Sequence, residues 1–125
     1  MSWRRGNKYH AKSVVIDGIK FPSGKEGERF LYLRELEKRG EIANLRRQVR
    51  FELLPAAYKD VVKHLKTKDK VVRRLFLNPV AYVADFVYKK DGQTVVEDTK
   101  GYKTPEYIIK KKMMYALKGI EIQEI

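Results

Sequence analysis

Hydrophobic and polar positions along the chain alternate with a period that switches between about two and about 3.6, and the switches mark its elements. Val14-Val15-Ile16 and Ile19-Lys20-Phe21 flank Asp17-Gly18 and predict a small β-hairpin or strand pair. From Ser23 the period lengthens. Phe30, Leu31, Leu33 and Leu36 mark the inner face of a helix running to about Arg39, with Arg34, Glu35, Glu37 and Lys38 largely outside. Ser23 and Glu26 have capping-box spacing, and Gly40 suits the position after the helix. From Leu45 to Leu53 the period returns to two. Leu45, Val49, Phe51 and Leu53 lie on one side of that strand, and Arg46, Gln48, Arg50 and Glu52 on the other. Pro55 ends it, and residues 55–78 read as a basic insertion or loop with a short helix over about 57–66.

Asn78-Pro79 launches the stretch that organises the rest. Tyr82–Tyr88 and Thr94–Lys100 flank Asp91-Gly92, the strongest short-range hairpin signal. With those two residues as the turn, Lys90 faces Gln93, Val87 faces Val96, and Asp85 falls opposite Asp98. Their Cβ atoms would then lie roughly 4.5–5.5 Å apart, where like charges repel. Lys100 points to the same face, and Val83, Val87 and Val96 predict that the face is covered. Beyond Gly101, Thr104-Pro105-Glu106 reads as cap, first residue and first-turn acid of a second helix, ending near Gly119. Its apolar positions are Tyr107, Ile108, Met114, Tyr115 and Leu117, and Ile120, Ile122 and Ile125 suggest a last strand. The whole chain, 1–125, reads as one α/β domain with no internal repeat.

Charge changes the picture from fold to partner. The 125 residues hold 28 Lys and Arg against 16 Asp and Glu, a net charge of +12. Such an excess points to a polyanion, with nucleic acid ahead of an anionic membrane. Residues 1–12 read as a flexible basic arm whose Arg4, Arg5 and Lys8 are phosphate-contact candidates, beside Arg46, Arg47, Gln48, Arg73, Arg74 and Lys111. The 55–78 segment reads equally as a solvated charged face or as a phosphate contact. No apolar run reaches membrane-span length, no signal-peptide pattern opens the chain, and a cytoplasmic protein is expected. With no cysteine and only His10 and His64, disulfides, thiolate sites and a cysteine nucleophile are excluded.

Two carboxylates on a covered face need a proton or a cation. Mg²⁺ or Mn²⁺ takes ligands of this kind: one or two carboxylates, waters and a substrate phosphate. Glu26 continues the inward stripe of the first helix and supplies a candidate third acid. Glu28 lies nearer the edge, and Glu97, on the opposite face to Asp98, is a reserve candidate.

Asp85, twelve residues, then Asp98-Thr99-Lys100 resembles the bipartite PD-(D/E)xK motif of metal-dependent nucleases. Together with VVIDGIKFPSGKEGERFLYLRELEKRGEI and TPEYIIKKK, the chain resembles small phage and prophage nucleases of that kind and is similar to Hjc-like Holliday junction resolvases. The resemblance implies a restriction-endonuclease-like αβββαβ core with a mixed central sheet flanked by helices. It implies a site of Glu26, Asp85, Asp98 and Lys100, with the Thr99 backbone carbonyl as a further metal ligand and Mg²⁺ or Mn²⁺ as cofactor. A homodimer acting on branched or duplex DNA, phage-encoded and working in the host cell, follows from the same resemblance. Two departures stand out: Ala84 replaces the usual Pro, and Asp98 reaches less far than Glu. A nicking, flap or restriction-like nuclease shares the site, and a non-catalytic basic DNA-binding module is the remaining alternative.

Overall fold

Residues 12–125 are described by a computed structural model. Asp17 and Gly18, both at left-handed φ (51° and 80°), turn β1 (Val14–Ile16) into β2 (Ile19–Phe21). α1 (Gly24–Lys38) follows, with the Ser23 side chain accepting from the Glu26 N–H at 3.1 Å. β3 (Ala43–Leu54), β6 (Val80–Lys90), β7 (Gln93–Asp98) and β8 (Gln123–Glu124) form one sheet in that spatial order. The first three strands are antiparallel and β8 runs parallel to β7, so the sheet is mixed. α2 (Pro105–Lys118) makes the crossover between β7 and β8. It is capped by Thr104 and closed by Gly119 at φ 67°. Around the central sheet the order is therefore helix, three strands, helix, strand.

Between β3 and β6 the chain forms β4 (Ala57–His64) and β5 (Asp69–Leu77), a separate two-stranded sheet. This corrects the loop and short helix expected there. Leu54 pairs with Val80 and Ala57 with Leu77, so the ribbon prolongs the β3–β6 pair. Pro55 and Pro79, which have no N–H to donate, stand at the break.

Two apolar clusters hold the body. Phe21, Phe30, Leu33, Ile42, Phe86 and Tyr88 join α1 and the first hairpin to the sheet. Leu53, Tyr82, Ala84, Val87, Val96, Tyr107, Met114 and Ile122 join α2 to it. Each fully buried Phe, Leu or Met contributes roughly 1.5–3 kcal/mol by leaving water. Leu31, Ile108, Tyr115 and Leu117 are exposed, so the buried face of each helix is narrower than their apolar residues suggest.

Strand β6 exchanges its faces midway. Tyr82 and Ala84 pack with the α2 cluster, yet Phe86 and Tyr88, of the same parity, pack with the α1 cluster, and Val87 takes the α2 side. The pairing register with β3 is the same on both sides of the exchange: Val49 with Ala84, Arg47 with Phe86. Gln48, between those pairs and opposite Asp85, has a left-handed φ of 51°, unusual for a residue with a side chain. The exchange also removes Val83 from the covered face: it is 45% exposed, and Tyr82 is buried instead. Among the described residues no helix is long and apolar enough to cross a membrane.

Candidate functional site

The β6–β7 hairpin turns at Asp91 (φ 51°) and Gly92 (φ 79°) and pairs Lys90 with Gln93 and Val87 with Val96. The ladder ends at Phe86–Glu97, one step short of the two aspartates. There the Thr99 N–H and hydroxyl both donate to Asp85 Oδ2, each at 2.8 Å. A side-chain carboxylate thus takes the place of the next ladder acceptor and fixes where β7 leaves the sheet.

Asp98 is 1% exposed. Tyr82 donates a short hydrogen bond to its Oδ2, and Lys100 Nζ lies 3.2 Å from its Oδ1. Lys100 thus meets the buried Oδ1 in a charge contact rather than a well-aligned hydrogen bond. Burial, and then the negative charge of Asp85, push the Asp98 carboxyl above its ordinary range, against the Tyr82 hydrogen bond and Lys100. The Tyr82 hydroxyl is itself pushed far up by burial and by its bond to Asp98, so it remains a donor at any ordinary pH. Lys100 also sits over the Tyr107 ring, 4.5 Å from its centroid, which orients the ammonium on its way to Asp98.

Glu26 enters from the first turn of α1, 3% exposed, whereas Glu28 faces solvent, so Glu26 is the helix-one acid at this site. Its side chain does not return to the helix cap. Gln48 Nε2 donates to Glu26 Oε2 at 3.2 Å and to Asp85 Oδ1 at 3.5 Å, bridging the two carboxylates. Arg47 Nη2 stands 3.8 Å from the same Glu26 oxygen, with its guanidinium over the Phe21 ring. Burial, and then Asp85, raise the Glu26 pKa to about 7, against the pull of Arg47. Glu26, Asp85, Thr99 and Lys100 open into one cleft of about 530 Å³, with Ser23, Lys25 and Tyr102 at its walls.

Glu97 turns the other way. Arg29 grips it with two bonds, Nε to Oε1 at 2.8 Å and Nη2 to Oε2 at 2.6 Å, and Tyr88 adds a short one. It is a buried structural anchor between α1 and β7, and removing one partner of such a pair costs about 3–5 kcal/mol.

The other candidates are scattered. Arg4, Arg5 and Lys8 lie outside the described residues. Arg46 lines a separate cleft with Asn44, Tyr88 and Lys89. Arg47 is spent on Glu26 and Phe21 rather than presented outward. Lys111 lies 3.0 Å from Glu124, which Tyr107 and Lys103 also engage, and whose pKa these partners lower to about 2. Arg73 and Arg74 lie on the ribbon. Tyr82 is the site residue that strand alternation conceals: the face exchange at Asp85 brings it to Asp98, and nothing in the local sequence announces that exchange.

Among the described residues no three Asp, Glu or His side chains stand close enough, as placed, to enclose a cation. The donor set nevertheless suits Mg²⁺ or Mn²⁺: two carboxylates of different exposure, Asp85 and the buried Asp98, and an open cleft for waters and phosphate.

Fold and cleft together define a mixed α/β protein with a carboxylate–lysine cleft at the end of a β-hairpin. The chain belongs to the family described as Protein of unknown function (DUF1064), whose model matches residues 6–123. No curated protein and no solved structure matches it.

Proposed function

We propose that this chain is a metal-dependent DNA endonuclease of the PD-(D/E)xK kind, selective for branched DNA and acting on four-way junctions as a homodimer. One observation carries the reading. Glu26, Asp85 and Lys100, placed far apart in sequence, meet in a single cleft, with Asp98 in contact with Lys100 behind it. The order helix, three strands, helix, strand supports a restriction-endonuclease-like core, and the net charge of +12 supports a polyanionic substrate.

Asp85, Asp98 and the Thr99 carbonyl would hold the cation, with Glu26 reaching it directly or through water. A bound Mg²⁺ or Mn²⁺ supplies Lewis acidity, lowering the pKa of water and offsetting charge on the phosphate. The chain's own residues do the positioning. Thr99 holds Asp85 by one oxygen and leaves the other toward Gln48 and the cleft. Tyr82 fixes the rotation of the Asp98 carboxylate. Lys100, held between Asp98 and the Tyr107 ring, presents its ammonium to an attacking water or to a phosphate oxygen. Glu26, raised to about 7 by burial, takes up or gives back a proton near neutral pH at its Oε atoms. A homodimer places two such clefts against two strands, the requirement for symmetric cutting.

The test is DNA cleavage with Mg²⁺ by wild type, Asp85→Asn and Lys100→Met. Cleavage by wild type alone, with both variants still binding DNA, is expected. Equal cleavage by all three would overturn the assignment.

A further inference from the structure

The β4–β5 ribbon has two chemically different faces. Register places Lys59 opposite Arg74, Val61 opposite Val72 and Lys63 opposite Lys70 on one of them. The other carries Tyr58 opposite Leu75, Asp60 opposite Arg73, Val62 opposite Val71 and His64 opposite Asp69. Ring contacts agree: Lys59 lies over Phe76, 3.6 Å from its centroid, and Arg73 over Tyr58, 4.1 Å away. Both acids of the ribbon, Asp60 and Asp69, therefore fall on the second face, where Arg73 and His64 sit opposite them. The first face keeps four cations and no acid. Val61 and Val72 at its centre are half-covered, as expected where lysine and arginine stems lie across them. The turn between the strands adds Lys66 and Lys68.

An isolated two-stranded ribbon is marginal in water, and this one's extensive contacts are with itself. Four unopposed cations along a strand pair match the phosphate backbone of a duplex, and a two-stranded ribbon fits the major groove. Eight residues of strand span about 26 Å, enough to follow several phosphates. We infer that the Lys59–Lys63–Lys70–Arg74 face of this ribbon is a sequence-independent contact for the backbone of duplex DNA, separate from the cleft. It rests on the reading above in taking DNA as the partner. Arg73, on the opposite face, has no part in it.

The experiment is fluorescence anisotropy of the full chain with a labelled 30-base-pair duplex in EDTA, across a salt series. Lys59, Lys63, Lys70 and Arg74 are all changed to Gln in one variant, and Tyr58, Val62 and Val71 to Thr in another. The basic-face variant is expected to bind at least about tenfold more weakly, with its salt slope shallower by about 3–4. The apolar-face variant keeps the wild-type slope. Unchanged affinity and slope in the basic-face variant would overturn the inference. So would loss confined to the apolar-face variant together with a smaller oligomer, which would make the ribbon a contact between copies. In case the first variant misfolds, amine acylation of the wild type gives a second reading. Duplex should protect Lys59, Lys63 and Lys70 relative to Lys38, and equal labelling would overturn the proposal. Because EDTA blocks metal-dependent cutting, a protein that binds through this face but never cuts sinks the nuclease reading alone. A protein that cuts while its binding ignores the ribbon sinks this one alone.

Discussion

Gln48 stands opposite Asp85 across the β3–β6 pair at a φ of 51°, and its amide bridges Asp85 Oδ1 and Glu26 Oε2. The backbone irregularity and the carboxylate pair are therefore one feature: the left-handed residue within the otherwise continuous β3 aims an amide between two acids from different elements. Backbone conformations of this kind cost of order 1–3 kcal/mol and persist where the surroundings enforce them.

Gln48→Ala removes the bridge while leaving the carboxylates in place. Its cleavage at limiting Mg²⁺ should fall about 10–100-fold, as for other groups that orient ligands without binding the metal. Saturating Mg²⁺ should restore part of the loss. An unchanged Mg²⁺ titration would show that the amide only fills space.

Tyr82→Phe leaves Asp98 Oδ2 buried without the hydroxyl it accepts from. Urea unfolding should show a loss of about 1–3 kcal/mol, the cost of an unsatisfied buried acceptor. The Asp98 carboxyl, already raised by burial, should rise further, so Mg²⁺ activation should need higher pH. A variant as stable as wild type would mean that Asp98 is neutral and needs no donor.

Glu26 gives stability a pH dependence of definite sign. Its folded-state pKa of about 7 lies above the ordinary 4.5, so the folded chain holds the extra proton. Metal-free stability should therefore fall as pH rises from about 4.5 to 7, by about 3 kcal/mol at most, and level off above. Asp98 adds in the same direction. Glu26→Gln should flatten that slope, and Mg²⁺ should raise the melting temperature more at pH 8 than at pH 5. Parallel profiles for wild type and variant would contradict the placement of Glu26.

Local signals carried much of this architecture. Asp91-Gly92 fixes the register that brings Asp85 and Asp98 to the end of one hairpin, and Ser23, Thr104 and Gly119 fix the helix ends. The ribbon escaped because Val61-Val62 and Val71-Val72 put apolar residues on both faces and erase the alternation. The signal available was Pro55 and Pro79, matched about a lysine-rich turn. Tyr82 escaped for a different reason, and Gln48, a candidate for contact with phosphate, instead bridges two carboxylates. Their roles depend on a face exchange enforced by packing on two helices, and no propensity of a glutamine encodes a left-handed φ. The Arg29–Glu97 pair spans 68 residues and is likewise tertiary.

The most direct measurement is cleavage of three labelled DNAs with Mg²⁺: a four-way junction, a flap and a linear duplex. Paired symmetric nicks in the junction, absent from the duplex and abolished by Asp85→Asn, are the predicted result. Flap or duplex cut as fast as the junction would keep the cleft chemistry and contradict the junction reading. No cleavage of any substrate by wild type, with Mg²⁺ or Mn²⁺, would contradict the central claim.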